Sequence, residues 1–143
     1  MKRIQFPALL ILLLFLLSCK KYRVEYDQPS QVEFKPITAT LPKGTVAAPG
    51  SVTILVQLVG PQRDADLSVE YAVDPASTAV AGTHYTASGT AGKITIPANS
   101  SSAQIVLTAI PANLATAKKL ILTLKDGALP VSANYKTSTI TLQ

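Results

Sequence analysis

Two kinds of hydrophobic pattern divide this chain. Residues 8–17 are uninterruptedly apolar, whereas after residue 30 apolar and polar positions alternate in short stretches. Alternation with a period of two is typical of half-buried β-strands. It predicts seven strands, whose apolar positions are Val32 and Phe34 with Ile37, Ala39 and Leu41; Val52, Ile54, Val56 and Leu58; Leu67, Val69, Tyr71 and Val73; Ile94 and Ile96; Ile105 and Leu107; Leu120, Leu122 and Leu124; and Ile140 and Leu142.

The strands differ in the faces they are expected to bury. Pro36 interrupts the first strand, and because proline cannot donate to a ladder, this strand is expected to be split and to lie at a sheet edge. Leu55 and Val59 make the second strand apolar on both faces, which favours a central position. The intervening segments are rich in turn-forming residues, and no window after residue 30 is convincingly helical. We therefore predict an all-β chain, with one immunoglobulin-like sandwich of about seven antiparallel strands over residues 31–143.

The apolar N-terminal run follows Lys2 and Arg3 and contains ten residues. A transmembrane helix needs about 20 such residues, so the length suits the core of a signal peptide. Residues 16–19, Leu-Leu-Ser-Cys, resemble the lipobox of bacterial lipoproteins, whose cysteine is acylated and becomes the mature N-terminus. This resemblance implies a signal peptide at 1–18, lipid attachment at Cys19 and a flexible tether over 19–30.

The lipobox also implies an address in the bacterial cell envelope, at the outer membrane. In related lipoproteins acidic residues directly after the acylated cysteine resemble a surface-export signal, whereas this chain has Lys20 and Lys21. The periplasmic face is therefore favoured over the cell surface. Cys19 is the only cysteine, which excludes disulfides within the chain and a redox CxxC site.

The positive charge of the chain is concentrated near its beginning. Loss of the signal peptide removes Lys2 and Arg3 and leaves eleven basic and eight acidic side chains, a net charge of +3. The nearest cationic cluster, Lys20, Lys21 and Arg23, follows the predicted lipid directly. It could attract anionic headgroups or simply begin a solvated tether. We predict no binding to nucleic acid, which requires cations clustered on one face or helix.

Residues 79–107 contain a recognisable succession of turns and strands. A Gly-x-x-Tyr-Thr loop at 82–86 precedes a short strand, a Pro-Ala-Asn turn at 97–99 and a further strand. This succession resembles the Calx-beta domain, and residues 119–127 and 135–142 resemble the closing hairpin of small Bacteroidetes envelope lipoproteins with such domains. The resemblance covers roughly residues 50–142.

The Calx-beta resemblance implies a β-sandwich that in some members binds calcium through acidic loops at one end. Calcium requires six to eight oxygen ligands, yet the only acidic residue after Asp74 is Asp126. Where calcium-binding members have an acidic cluster, this chain has Lys118 and Lys119. We therefore predict no metal or other cofactor, and a calcium-stabilised structural module is an alternative.

The only histidine and two tyrosines are the next candidates. His84 has no thiol, second histidine or adjacent carboxylate near it in sequence, so we expect a loop histidine beside a packing tyrosine rather than a base or metal ligand. Tyr85 and Tyr135 are expected to bury their rings under loops while their hydroxyls bond to the backbone. Stacking of either ring on a ligand is the alternative.

Four carboxylates, Asp64, Asp66, Glu70 and Asp74, lie close together in sequence. Paired carboxylates can perform acid–base chemistry, as in glycosidases, but aspartates between strands are ordinarily solvated turn formers. The chain has no Gly-x-Ser-x-Gly elbow and no evident histidine–acid pair that would activate a hydroxyl. A small accessory hydrolase using these carboxylates is therefore only an alternative.

Binding is the function that these observations favour. Residues 99–101, Asn-Ser-Ser, match a glycosylation sequon, but an ordinary turn explains them better in an exported bacterial protein. Phe34 and Tyr71 are expected in the core, which leaves few aromatic platforms for sugars. We predict a non-enzymatic module for binding, adhesion or scaffolding, anchored through an acylated Cys19 and meeting an envelope protein or a glycan.

Overall fold

The computed structural model describes residues 28–143. The predicted signal peptide, Cys19 and the tether up to residue 27 lie outside this range. The described residues form nine strands: β1 (Gln31–Lys35), β2 (Thr38–Leu41), β3 (Ser51–Val59), β4 (Leu67–Val73), β5 (Tyr85–Ala87), β6 (Lys93–Ile96), β7 (Ser102–Ala109), β8 (Lys118–Leu124) and β9 (Thr137–Leu142). Two 3₁₀ turns, Pro111–Asn113 and Ala133–Tyr135, lie between the last strands.

The strands form two packed sheets. One sheet has the order β1-β3-β7-β5 and the other has the order β2-β9-β8-β4-β6. Every strand pair is antiparallel except β2 and β9. The all-β, immunoglobulin-like sandwich predicted from the alternation is confirmed, and β3 is central in its sheet, as its two apolar faces indicate.

The first strand is split at Pro36, as predicted. Before the proline, β1 pairs with β3; after it, the chain changes sheet and β2 pairs with β9. The peptide between Lys35 and Pro36 is cis. The fully buried hydroxyl of Ser138 donates to the Pro36 carbonyl oxygen at 2.8 Å. Together with the Thr139 amide, which donates to the Ile37 carbonyl at 2.8 Å, this hydrogen bond ties the crossing between the sheets to β9.

The core is built from the inward-facing residues of both sheets. Phe34 is fully buried and Tyr71 is 6 % exposed, as the alternation predicts. Each fully buried aliphatic side chain contributes about 1.5–3 kcal/mol relative to an exposed one. The fully buried aliphatic residues include Leu41, Ile54, Val56, Leu120, Leu124, Ile140 and Leu142.

Strand β5 was not predicted. It has only three residues, of which Tyr85 alone is buried, so a period of two cannot be recognised in it. It pairs with the last part of β7, Leu107 to Ala109. The split first strand and β5 together account for nine strands where the alternation predicts seven.

The two ends of the sandwich carry different loops. At one end, which we call the tether pole, loop 60–66 lies beside Ser30 and turn 97–101, and the amide of Asn99 donates to the Arg63 carbonyl at 2.7 Å. At the other end, the far pole, loops 42–50, 74–84 and 110–117 meet, and the amide of Ile110 donates to the His84 carbonyl at 2.9 Å. The described residues contain no helix long and apolar enough to cross a membrane.

Candidate functional site

The four candidate carboxylates are not brought together. Asp66 and Asp74 lie at opposite ends of β4, which by the rise of an extended chain places them about 25 Å apart. Each accepts a backbone amide: Ala98 donates to Asp66 Oδ1 at 2.9 Å, and Ala76 donates to Asp74 Oδ1 at 2.8 Å. Both carboxylates therefore hold turns, as is usual for loop aspartates.

His84 lies in the loop that precedes β5, and its ring holds that loop together. Its Nδ1 accepts the Val80 amide at 2.9 Å, while its own backbone amide donates to the Val80 carbonyl at 2.9 Å. A ring nitrogen that accepts carries no proton, so this geometry assigns the hydrogen of the neutral ring to Nε2. His84 is thus a loop residue beside a buried tyrosine, as expected.

The two candidate tyrosines have different environments. Tyr85 is 3 % exposed, and burial raises the pKa of its phenol, with the nearby phenol of Tyr71 as a second cause. Tyr135 is 45 % exposed, so the prediction that its ring is buried is wrong. It ends a 3₁₀ turn in which its amide donates to the Ser132 carbonyl at 3.1 Å, and this turn leaves the ring in solvent.

The acidic residues do not fit a calcium ion. Within residues 28–143 no three histidine, cysteine, aspartate or glutamate side chains come together at a spacing that could hold a metal. Asp126, the only acidic residue after Asp74, forms an exposed ion pair with Lys136 at 3.4 Å. Lys118 and Lys119 begin β8. The described residues thus contain no cluster of carboxylates of the kind on which calcium sites are usually built.

Two surface clefts in the part of the chain that the structure describes are candidates for a ligand site. The smaller, about 250 Å³, lies between the start of β4 and residues 125–129. The larger, about 430 Å³, lies between the edges of the two sheets, where β6 faces β7. We call this second cavity the edge cleft. Tyr71 and Ile105, both buried, and the half-buried Ile94 form its floor.

The rim of the edge cleft is polar and exposed. Ser88, Thr90, Thr95 and Gln104 contribute hydroxyl and amide groups, and Lys93 is the only charged residue among those that line it. The rim therefore offers donors and acceptors around an apolar floor, without a nucleophile and base in contact.

The edge cleft exists because β5 is short. After Ala87 the chain leaves β7, and residues 88–92 cross to the other sheet through Gly89 and Gly92, which have φ values of +76° and +77°. One end of this crossing is fixed by Ser88, whose hydroxyl accepts the Val106 amide at 2.8 Å. The other is fixed by Gly92, whose carbonyl accepts the Tyr71 amide at 3.0 Å. The loop that borders the cleft is thus held at both ends.

Sequence reasoning did not identify the edge cleft. Ser88, Thr90 and Gln104 match no motif, and they meet only because β5 pairs with one part of β7 and leaves the rest exposed. The two glycines of the loop were the available signal, since glycine supplies the positive φ of tight crossings.

No family model and no curated protein matches the chain, so the Calx-beta resemblance stays a prediction. Among solved structures, the fold is similar to a protein of Bacteroides ovatus ATCC 8483 that has been proposed to bind carbohydrate, at a TM-score of 0.57 and 8 % identity over 79 % of this chain. The chain spans 36 % of the length of that protein. An ASH/PapD-like domain of human CEP192 matches with a TM-score of 0.47 and 12 % identity, covering 85 % of this chain and 90 % of the domain. At 8 % identity the likeness to the Bacteroides protein shows the fold alone.

Proposed function

We propose that this protein is a lipid-anchored envelope protein whose single sandwich domain binds a partner without catalysing a reaction. The edge cleft carries this proposal. It combines an apolar floor with a polar rim, the usual lining of a small-molecule site, while Asp66 and Asp74 accept turn amides at opposite ends of β4.

The proposed membrane anchor is based on the lipobox-like segment that ends at Cys19. Acylation there, followed by a tether to residue 30, would hold the domain at the outer membrane, on its periplasmic face. Lys20, Lys21 and Arg23 would then lie beside the headgroups, where each basic residue near an anionic surface adds about 1 kcal/mol.

Labelling with palmitate tests the anchor. The wild-type protein should incorporate the label and fractionate with membranes, whereas Cys19→Ser should remain unlabelled, and globomycin should cause the precursor to accumulate. Lys20→Ser, which keeps the cysteine, is the matched control and should be labelled as the wild type is. An unlabelled wild-type protein would refute the anchor.

Crosslinking of intact envelopes tests the binding function. The carbohydrate role proposed for the structurally similar Bacteroides ovatus protein makes glycans the first class of partner to examine, and envelope proteins the second. A specific glycan or protein should co-purify with the wild type. Recovery of a chemically altered glycan after incubation with the purified protein would instead indicate an enzyme.

A further inference from the structure

We infer that the edge cleft is the ligand site and that it takes a short saccharide carrying a carboxylate; this inference rests on the proposed binding function. The volume of about 430 Å³ lies in the lower part of the range usual for small-molecule sites, about 300–1,000 Å³. A short saccharide therefore fits the space better than a long polymer.

The chemistry of the lining matches the two faces of a sugar. The C–H face of a pyranose is apolar and packs on aromatic or aliphatic side chains, which Tyr71, Ile94 and Ile105 supply on the floor. The sugar hydroxyls need donors and acceptors at the margin, which Thr90 and Gln104 supply on the rim. Tyr71 and Ile105 are largely buried, so the half-buried Ile94 presents most of the apolar surface of the floor.

The positive charge of Lys93 favours a saccharide that carries a carboxylate. Lys93 is the only charged residue that lines the edge cleft, and its register partner across the β4–β6 ladder is Glu70. Within the described residues, however, the only ion pair closer than 4 Å joins Asp126 to Lys136. The Lys93 ammonium is therefore free to pair with a carboxylate of the ligand, as in a uronic acid.

The exposed edge of strand β6 is a poor template for the pairing of an extended peptide. Strand β6 has four residues, and the Lys93 amide already donates to the Thr90 carbonyl at 3.2 Å. Short edge strands that carry lysine are a common way to prevent strand addition. These features favour a saccharide over a peptide strand in the cleft.

Titration of the full chain in detergent tests the inference. The probes are trigalacturonate, which is acidic, and cellotriose, which is neutral and of equal length. Calorimetry should show tighter binding of trigalacturonate, and amide resonances of the edge cleft should shift on titration. Lys93→Gln and Gln104→Ala should each weaken binding about threefold to tenfold, the effect of losing one hydrogen bond to a ligand.

Matched controls lie on β1, at the opposite edge of the same sheet as Gln104. Lys35→Gln and Gln31→Ala alter an exposed lysine and a half-buried glutamine away from the cleft, and both should bind as the wild type does. Equal affinity for the two trisaccharides, or unchanged binding by Lys93→Gln, would overturn the inference. If neither probe binds but a specific envelope partner co-purifies, the edge-cleft inference fails while the proposed function stands.

Discussion

Asn99 is the one non-glycine residue with a positive φ in residues 28–143, at 59°. It lies in the turn where the Ser100 amide donates to the Pro97 carbonyl at 3.1 Å. A left-handed conformation costs an ordinary residue about 1–2 kcal/mol, and asparagine and glycine adopt it more easily. We expect Asn99→Ala to lower the free energy of unfolding in urea by about 1 kcal/mol and Asn99→Gly to change it little.

Asn134 provides the control for this substitution. It is exposed and has no positive φ, so Asn134→Ala should have almost no effect on stability. If Asn99→Ala proves as stable as Asn134→Ala, the turn does not depend on the conformation of Asn99.

Tyr85 gives the domain a dependence on alkaline pH. Burial raises the pKa of its phenol above the ordinary value of about 10. Below that pH the phenol is neutral in both states and stability is unaffected. Above it the unfolded state loses the proton first, so the free energy of unfolding falls as pH rises from about 10 to the folded pKa.

Urea unfolding between pH 8 and 11 measures this loss. Tyr85→Phe should show a shallower decline with pH than the wild type, because it has no phenol to ionise at this position. Tyr135→Phe, at an exposed site, should decline as the wild type does. Parallel curves for all three proteins would contradict the assignment to Tyr85.

At the scale of elements, the crossing between β1 and β2 depends on Ser138. Its hydroxyl is fully buried and donates to the Pro36 carbonyl at 2.8 Å. Ser138→Ala would leave that carbonyl without this donor, at a cost of about 1–3 kcal/mol. Ser68→Ala, an exposed serine on β4, should cost less than about 0.5 kcal/mol. Thermal unfolding compares them, and equal stability of the two variants would contradict the role of Ser138.

Strands that bury one face could be predicted, whereas the short strand β5 and the pairing partner of β2 could not. The alternation of β3, β4 and β8 identifies these strands directly because each buried residue is followed by a more exposed one over much of its length. Strand β5 has only three residues, too few to show an alternating pattern. The parallel pairing of β2 with β9 joins residues about a hundred positions apart in the sequence, which a local pattern does not reveal. The rim of the edge cleft was missed for the same reason, since its residues meet through β5 and β7.

The whole molecule is expected to fold without calcium, because its described carboxylates do not converge. Millimolar calcium should therefore raise the melting temperature no more than the same concentration of magnesium, in protein first treated with a chelator. A metal that binds the native state stabilises it by mass action. A rise specific to calcium would support the calcium-stabilised alternative.

If the domain is anchored at Cys19 as proposed, the path of the chain predicts its orientation. Residue 30 enters β1 at the tether pole, beside loop 60–66, whereas loop 42–50 lies at the far pole. Strand β3 runs from loop 42–50 to loop 60–66. Its nine residues span about 30 Å as an extended chain, which separates the two loops by about that distance. Under the proposed acylation of Cys19, and with the predicted tether of residues 20–30 spanning roughly 18 Å, we expect the tether pole to lie nearer the membrane.

Labelled cysteines at the two poles test this orientation. Because Cys19 is the only native cysteine and would be acylated, Asp64→Cys and Val46→Cys can each carry one fluorophore at an exposed site. In vesicles containing headgroup-quencher lipids, the label at position 64 should be quenched more strongly than the label at 46. In detergent without quencher lipids both labels should fluoresce equally, which controls for local environment. Equal or reversed quenching in vesicles would show that the far pole reaches the membrane and that the tether does not set the orientation.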